Sequence, residues 1–264
     1  MTRSRALAAA QTLPVRGDVA ANLVEHVRLA RVAAEAGARV LVFPELSLTG
    51  YELDLAEPLA FSERDPRLGP LLDCASTLEM TLVVGAPVRL GARLHVGAFI
   101  VGPERAAALY TKRHLGAFAP SASPDGVVPP PEASVFEPGD RDPLVPLGDE
   151  LAAVAVCADT GRASHPARAA ARGARSYLAS TFVIPADFET DVERLRSHAV
   201  KHAMAVVFSN YGGPSGGLPS AGGSAIWSES GARLVQLGER GAGVAVAIEG
   251  EPGWRASRVM LEGA

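Results

Sequence analysis

The chain alternates buried-type apolar runs with amphipathic stretches, and one apolar run, residues 151–156, leads directly into Cys157. A run of this length that follows a Gly-Asp-Glu turn predicts a buried strand rather than a helix. The charged, Gly- and Arg-containing residues after the cysteine end that strand. Because open α/β sheets place their ligand sites at the carboxyl ends of strands, Cys157 is a candidate for chemistry. The alternative is a small buried thiol that serves only packing.

Two other apolar runs also end in a residue that can react. Residues 38–43 lead to Glu45, and residues 106–111 lead to Lys112. A glutamate can take the proton of a thiol as a general base, and a lysine can stabilise a thiolate or an oxyanion. Taken singly, Glu45 also suits a cap on the next segment, and Lys112 a solvated strand end. Three such endings in one chain favour a single catalytic unit.

Helix and strand patterns alternate through both halves of the chain, which is typical of the α/β class. The predicted helices are 18–36, 68–79, 166–173 and 186–204. Asp18 is a candidate N-cap of the first of them, and Gly37 its stop. The predicted strands are the apolar part of residues 1–11 after a charged stub, then 39–43, 81–88, 93–101, 106–111, 151–156, 175–180, 205–209, 222–227, 233–237 and 243–248.

Three segments are predicted to lack regular structure. Residues 46–65 are loop-rich, and residues 116–131 are rich in Ala, Ser and Pro. A loop as long as 116–131 inside a compact domain is often functional, and its position after Lys112 leads us to expect that it covers the active site. The residues from 251 onward are expected to form a tail that packs on the domain or on a second subunit.

Composition narrows the classes of function. The 264 residues are 48% hydrophobic and 20% charged, which suits one large domain or at most two, and we assign residues 1–264 to one domain. A net charge of −4 without a Lys/Arg-rich block argues against a nucleic-acid partner. No apolar stretch approaches the roughly 18–20 residues of a membrane helix, and the apolar core of residues 1–11 is too short for a signal peptide. Two cysteines give no disulfide framework, and a functional thiol implies a reducing, cytoplasmic compartment.

Four segments, taken in order, resemble the nitrilase superfamily of carbon–nitrogen hydrolases. They are Phe43-Pro-Glu45 followed by Thr49-Gly-Tyr51, then Tyr110-Thr-Lys112-Arg-His-Leu115, then Glu132-Ala-Ser-Val-Phe136-Glu-Pro-Gly139, and finally Val156-Cys157-Ala-Asp159. Each motif alone is weak, but all of them in this order are specific, and they cover nearly the whole chain.

The resemblance implies a fold and a set of roles. The implied fold is a four-layer α-β-β-α sandwich with two mixed β-sheets, which stacks across an interface in a homodimer or a higher homo-oligomer. The implied roles are Glu45 as base, Lys112 as the acid that stabilises the oxyanion, and Cys157 as nucleophile. Glu132 is implied as a carboxylate that positions Lys112 and the substrate, whereas without the resemblance it is an ordinary solvated loop charge. No cofactor is implied.

The activity that follows is hydrolysis of a non-peptide C–N bond in a small linear amide, through a thioester that releases ammonia or an amine. The N–H of Ala158 joins Lys112 in holding the oxyanion. The Cys-Ala-Asp sequence resembles amidases and carbamoyl hydrolases more than nitrile-cleaving members, which usually have Cys-Trp-Glu. The alternatives are an N-carbamoyl amine or amino-acid hydrolase, and a non-catalytic member that binds an amide metabolite.

Three residues are candidate substrate contacts. Tyr51 lies in the loop after the predicted base, where its ring either lines the crevice or packs the loop. Ala158 stands where relatives commonly carry a bulky ring, so it leaves space beside the nucleophile unless neighbours fill it. Arg162 can hold a substrate carboxylate through two parallel hydrogen bonds, or it is a solvated loop charge.

Two other possible sites are considered and set aside. His198 and His202 share a helix face at a spacing that can bind a metal. No third ligand is placed near them, and the proposed chemistry needs no Lewis acid, so no metal site is predicted. Cys74 lies in the predicted helix 68–79 without a polar neighbour at helical spacing that would activate its thiol, so it is assigned a structural role.

Overall fold

In the computed structural model, which describes residues 5–123 and 125–261, two β-sheets pack face to face with helices outside each sheet. The helices are α1 (Val19–Glu35), α2 (Ala56–Leu59), α3 (Gly69–Leu78), α4 (Ser164–Ala171) and α5 (Phe188–His202). Among the described residues, none of these helices combines the length and the apolar character needed to cross a bilayer.

The strands fall into two mixed sheets. In chain order they are β1 (Ala6–Gln11), β2 (Val40–Val42), β3 (Thr81–Leu90), β4 (Arg93–Val101), β5 (Ala107–Thr111), β6 (Leu144–Leu147), β7 (Glu150–Val156), β8 (Ala174–Ser180), β9 (Ala205–Ser209), β10 (Ala225–Trp227), β11 (Arg233–Gln236), β12 (Gly243–Gly250) and β13 (Gly253–Met260). The seven-stranded sheet has the order β13-β12-β1-β2-β3-β4-β5, and the six-stranded sheet has the order β11-β10-β9-β8-β7-β6. Parallel pairs lie inside each sheet and antiparallel pairs toward its edges.

Side chains of the central strands are buried on both faces. In β1, Leu7 packs between the two sheets and Ala8 packs under α1 and α3. In β7, Ala152 packs between the sheets and Ala153 packs under α4 and α5. Strands covered on both faces read as continuous apolar runs, which is why the run 151–156 could be recognised. The predicted α-β-β-α sandwich is confirmed.

Most of the predicted elements form close to their expected bounds. The N-cap of α1 is confirmed, because Asp18 Oδ1 accepts a hydrogen bond from the Ala21 backbone N–H at 3.0 Å. Gly37 follows the end of that helix with φ of +90°, a conformation that glycine adopts without steric cost. The antiparallel meander β3-β4-β5 is also confirmed.

The structure differs from the sequence-based prediction at three places. The expected tail from residue 251 contains β13, which pairs antiparallel with β12 along its whole length. Its residues are mostly exposed, so they carry no apolar alternation to detect. β6 was not predicted. It contains Pro146, which has no backbone N–H, and an edge strand such as β6 tolerates such a residue. The loop 46–65 contains the short helix α2. The predicted charged stub before β1 lies in residues 1–4, outside the described residues.

Candidate active site

The three residues with predicted chemical roles follow strands of both sheets. Glu45 is the third residue after β2, and Lys112 directly follows β5. Both of those strands belong to the seven-stranded sheet, whereas Cys157 directly follows β7 of the six-stranded sheet. The stacking of the sheets therefore brings together groups that lie far apart in the chain.

The backbone turns sharply at Cys157 and directly after Glu45. Cys157 has φ of +41°, and Leu46, which follows Glu45, has φ of +53°. Such a conformation costs a non-glycine residue about 1–3 kcal/mol, so the surrounding structure must enforce it. A Cβ on Gly85 of β3 would lie 2.4 Å from the backbone N of Leu46, so this glycine leaves the space for the turn after Glu45. Sequence reasoning did not single out Gly85.

Lys112 lies between two carboxylates and is completely buried with them. Its Nζ donates to Glu45 Oε1 at 2.6 Å and to Glu132 Oε1 at 2.7 Å. Burial by itself would lower the pKa of Lys112, but the two carboxylates outweigh that effect and raise the pKa above its ordinary value. The lysine is therefore a fixed positive charge at neutral pH.

The Glu45 carboxyl and the Cys157 thiol both have pKa values above their ordinary ones. Burial raises the pKa of Glu45 against the attraction of Lys112, and with the repulsion of Glu132 the value reaches about 7. Burial and then the Glu45 charge raise the pKa of the Cys157 thiol well above its ordinary value, although Lys112 opposes them. Among the described residues, Glu45 Oε2 has no hydrogen-bond partner, so this oxygen is available to accept a proton. A thiol that is protonated at rest needs such a base when it attacks.

Glu132 is held from three sides. Besides the bond from Lys112, its Oε1 accepts a hydrogen bond from the Tyr51 hydroxyl at 2.7 Å. Its Oε2 accepts one from the Gly116 backbone N–H at 2.8 Å, and its own N–H donates to the Gly116 carbonyl. The two ends of the loop 116–131 thus close on Glu132, directly beside Lys112.

Aromatic rings form a wall next to these charges. The Tyr51 ring lies 5.6 Å from that of Phe118 and 5.0 Å from that of Phe182, and the two phenylalanine rings are 5.5 Å apart, all measured between centroids. The Cys157 thiol donates a long hydrogen bond to the Phe182 carbonyl, with Sγ 3.7 Å from the oxygen. The sequence singled out Tyr51, whose contact with a substrate stays a prediction. It did not single out either phenylalanine, because an isolated Phe in a loop does not differ in pattern from one that only fills the core.

The other two predicted substrate contacts have different surroundings. Ala158 is half-buried, and a Cβ built on Gly116 would lie 3.6 Å from the Ala158 Cβ, so the loop 116–131 approaches the residue that follows Cys157. Arg162 is exposed just after the short 3₁₀ helix 157–161, and its backbone N–H donates to the Asp159 carbonyl. Within the described residues its side chain has neither an ion pair nor a hydrogen bond.

His198 and His202, which share a helix face, are not arranged as a metal site in the described residues. His198 is buried, and its Nε2 lies 2.8 Å from the Thr160 carbonyl oxygen, to which it donates. The rings of His198 and His202 are 6.3 Å apart between centroids. In the described part of the chain, no group of three or more His, Cys, Asp or Glu side chains is arranged to hold a metal ion. Cys74 is buried in α3, where burial raises the pKa of its thiol.

Comparison with known proteins gives the same family as the motifs. Residues 6–248 match the sequence model of a family described as carbon–nitrogen hydrolase. An amidase of the nitrilase superfamily from Nesterenkonia sp. AN1, solved as a double mutant with acrylamide, superposes with a TM-score of 0.81 at 25% identity, over 94% of this chain and 91% of that chain. Another mutant of that amidase carries the acetamide moiety of fluoroacetamide on its active-site cysteine. It superposes with a TM-score of 0.79 at 26% identity, over 93% and 90% of the two chains.

Curated relatives found by sequence are longer proteins. Glutamine-dependent NAD(+) synthetase of Thermotoga maritima is 28% identical over 233 residues, which are 84% of this chain and 38% of that protein. The protein of the same name from Mycobacterium tuberculosis is 36% identical over 88 residues, which are 32% of this chain and 13% of that protein. The chain therefore spans well under half the length of these relatives.

Proposed function

Because the chain belongs to the carbon–nitrogen hydrolase family, whose members cleave C–N bonds other than peptide bonds, we propose that it hydrolyses small linear amides through a thioester on Cys157. The observation that carries the proposal is the buried chain of Glu45, Lys112 and Glu132 beside a half-buried thiol. Replacing a buried ion pair by apolar side chains is often neutral or stabilising, so packing alone does not account for these charges.

In the first half of the reaction, Cys157 Sγ attacks the amide carbonyl while Glu45 takes the thiol proton. Lys112 stabilises the oxyanion of the tetrahedral intermediate together with the N–H of Ala158, which lies in the first turn of the 3₁₀ helix 157–161. Glu45 then gives its proton to the leaving nitrogen, the C–N bond breaks, and ammonia or an amine departs from the thioester.

In the second half, water replaces the amine. Glu45 takes a proton from the water as its oxygen attacks the thioester carbonyl, and the C–S bond breaks. The carboxylic acid leaves, and the proton returns to the Cys157 sulfur. Glu132 holds Lys112 in place throughout, and the wall of Tyr51, Phe118 and Phe182 contacts the acyl group.

The proposal is tested by a screen for ammonia release. Butyramide and acrylamide represent small amides, and a set of N-carbamoyl amino acids represents the alternative substrate class. Release from the simple amides supports the proposal, whereas release from N-carbamoyl compounds alone supports the carbamoyl hydrolase. Absence of turnover on both sets, with binding of amides in calorimetry, supports the non-catalytic alternative.

Glutamine belongs in the same screen as a second candidate substrate. The curated relatives are named as glutamine-dependent enzymes, and 84% of this chain aligns with one of them. Glutamine is itself a linear primary amide, so the same residues would act on it. A kcat/KM for glutamine well above that for butyramide would favour this candidate.

We expect Glu45→Gln to lower kcat by about 10²-fold or more, the scale of losing a general base. In the wild type, kcat/KM should fall as the pH decreases through about 7, because the buried Glu45 then becomes protonated and cannot take the thiol proton. The free energy of unfolding depends on pH in the opposite direction, because the folded-state pKa of Glu45 lies above its ordinary value. The stabilisation that Glu45 contributes is complete below the ordinary glutamate pKa and is lost as the pH rises through about 7.

Steady-state rates between pH 5 and pH 9 measure this dependence. Glu189→Gln, on the exposed start of α5, is the matched control and should leave the profile unchanged. Near-normal kcat in Glu45→Gln would exclude Glu45 as the base.

We also propose that Arg162 binds a carboxylate of the substrate that is remote from the scissile amide. Arg162 is exposed directly after the 3₁₀ helix that begins at Cys157, and its guanidinium has no partner among the described residues. Arg162→Ala should then raise KM for an acidic amide at least about tenfold more than for a neutral amide of equal length, since a charge-assisted pair is worth roughly 1.5–3 kcal/mol. Arg233→Ala on the edge strand β11 is the control. Equal KM changes for the two substrates would show that Arg162 does not contact the substrate.

A further inference from the structure

A second buried polar network lies directly behind the nucleophile, and the proposed reaction does not use it. Its centre is Asp159, whose side chain is completely buried two residues after Cys157. Five donors converge on this carboxylate. They are the Tyr110 hydroxyl (2.6 Å) and the Val156 N–H (3.3 Å) on Oδ2, and the His114 N–H (2.9 Å), His114 Nδ1 (2.8 Å) and the Arg113 N–H (3.2 Å) on Oδ1.

These donors come from both sides of the active site. Val156 ends β7 of the six-stranded sheet and immediately precedes the nucleophile Cys157. Arg113 and His114 immediately follow Lys112, at the end of β5 in the seven-stranded sheet. One carboxylate therefore connects the backbone that carries the thiol to the backbone that carries the amine.

The backbone at the nucleophile needs such an anchor. Cys157 has φ of +41°, a conformation that persists only where neighbouring contacts enforce it. The Asp159 bond to the Val156 N–H holds the residue before the turn, and Thr160 Oγ1 donates to the Cys157 carbonyl at 2.8 Å. The direction of the Cys157 side chain thus depends on the residues that follow it.

A directed chain of hydrogen bonds fixes Asp159 from behind. The Tyr177 hydroxyl lies 2.9 Å from His165 Nδ1, and His165 Nε2 lies 2.9 Å from the Tyr110 hydroxyl. Burial lowers the pKa of His165 to about 4, so its ring is neutral and donates through one nitrogen while it accepts through the other. Since a carboxylate only accepts, the Tyr110 hydroxyl donates to Asp159, and the chain runs from Tyr177 through His165 to Tyr110.

We propose that Asp159 is a positioning residue that sets the placement of the Cys157 thiol relative to the Lys112 amine. This proposal rests on the proposed amide hydrolysis, and Asp159 itself touches neither the substrate nor the reacting atoms. The competing explanation is that Asp159 contributes only to stability. The two explanations differ in what they predict for the reactivity of the thiol in the folded protein.

The test variant is Asp159→Asn, which keeps the shape but replaces one acceptor oxygen by an NH₂ group that cannot accept. We expect kcat for the best amide of the screen to fall roughly 10²-fold, the scale of a small misplacement of reacting groups, with KM changed much less. The apparent pKa for alkylation of Cys157 by iodoacetamide should also rise, because a thiolate displaced from Lys112 is less stabilised. Both measurements are made where thermal melting shows the variant to be folded.

Asp65→Asn is the matched control, because it makes the same carboxylate-to-amide change at another largely buried carboxylate. Asp65 lies in the turn before α3, where its Oδ1 accepts hydrogen bonds from the Arg67 N–H at 3.0 Å and from Arg67 Nε at 2.8 Å. This variant should lower the melting temperature but keep the wild-type kcat and alkylation profile. The proposal is overturned if Asp159→Asn keeps both wild-type values, or if Asp65→Asn lowers kcat as much as Asp159→Asn does.

If Asp159→Asn does not fold, Tyr110→Phe replaces it, since this change removes a donor to Asp159 and keeps the buried ring. A kcat about tenfold below wild type with a raised alkylation pKa supports the proposal, and wild-type values for both overturn it. A wild-type protein that hydrolyses no amide, yet shows the alkylation difference, would contradict the proposed function and leave the positioning of the thiol supported.

Discussion

Cys157→Ala is expected to abolish amide hydrolysis, with kcat lower on the order of 10⁶-fold, the scale seen when the nucleophile of a catalytic unit is removed. The remaining groups cannot form a thioester, so no covalent intermediate accumulates. Intact-mass spectrometry should show an acyl adduct on the wild type during turnover and none on the variant. Fluoroacetamide should likewise modify only the wild type, as it does the active-site cysteine of the related amidase.

Stability should change little in this variant. The side chain is half-buried and only one sulfur is lost, so we expect the free energy of unfolding to stay within about 1 kcal/mol of the wild-type value. Cys74→Ala is the control, since Cys74 is buried in α3 and should affect packing without affecting turnover. An adduct on Cys74, or turnover by Cys157→Ala near the wild-type rate, would overturn the assignment of the nucleophile.

Lys112→Met should combine the loss of activity with a large loss of stability. The variant leaves Glu45 and Glu132 buried without their cation, and breaking a buried pair in this way costs about 3–5 kcal/mol. Loss of the oxyanion donor should lower kcat by about 10²–10³-fold. Chemical denaturation and steady-state kinetics measure the two effects separately.

The stability loss in Lys112→Met should depend on pH. Lys112 lowers the pKa of Glu45, so its removal raises that pKa above about 7. A folded-state pKa above the unfolded value gives stability that is complete at low pH and is lost as the pH rises. The variant should therefore be closest to the wild type near pH 5 and furthest from it above pH 8. Lys201→Met, on the exposed face of α5, should show neither effect. Equal stability of the two variants at pH 8 would show that Lys112 does not neutralise the buried carboxylates.

The sequence determined the strands that carry the reactive groups, because that information is local. Strands buried on both faces have continuous apolar runs, and a reactive residue at the end of such a run stands out from its neighbours. This pattern singles out Glu45, Lys112 and Cys157, whose catalytic roles stay predictions. The cap of α1 at Asp18 was also local, since a helix N-terminus is satisfied by a residue beside it.

Glu132 is predicted only by the family resemblance, because nothing local in the sequence distinguishes it from a solvated glutamate. Its contacts are made by Lys112, twenty residues earlier in the chain, and by Tyr51, eighty-one residues earlier. The irregular conformation of the loop 116–131 places Glu132 beside these side chains, and no periodic sequence pattern predicts such a conformation. β13 was missed for a related reason, since its exposed residues take their order from pairing with β12.

The electrostatics and the hydrogen bonds of the site depend on the tertiary structure. The pKa of Glu45 reaches about 7 because other elements cover it and place Lys112 and Glu132 beside it. The role inferred for Asp159 depends on two sheets meeting at one carboxylate. Burial and the distance between charges belong to the packed molecule, whereas the sequence supplies only the groups that packing can bring together.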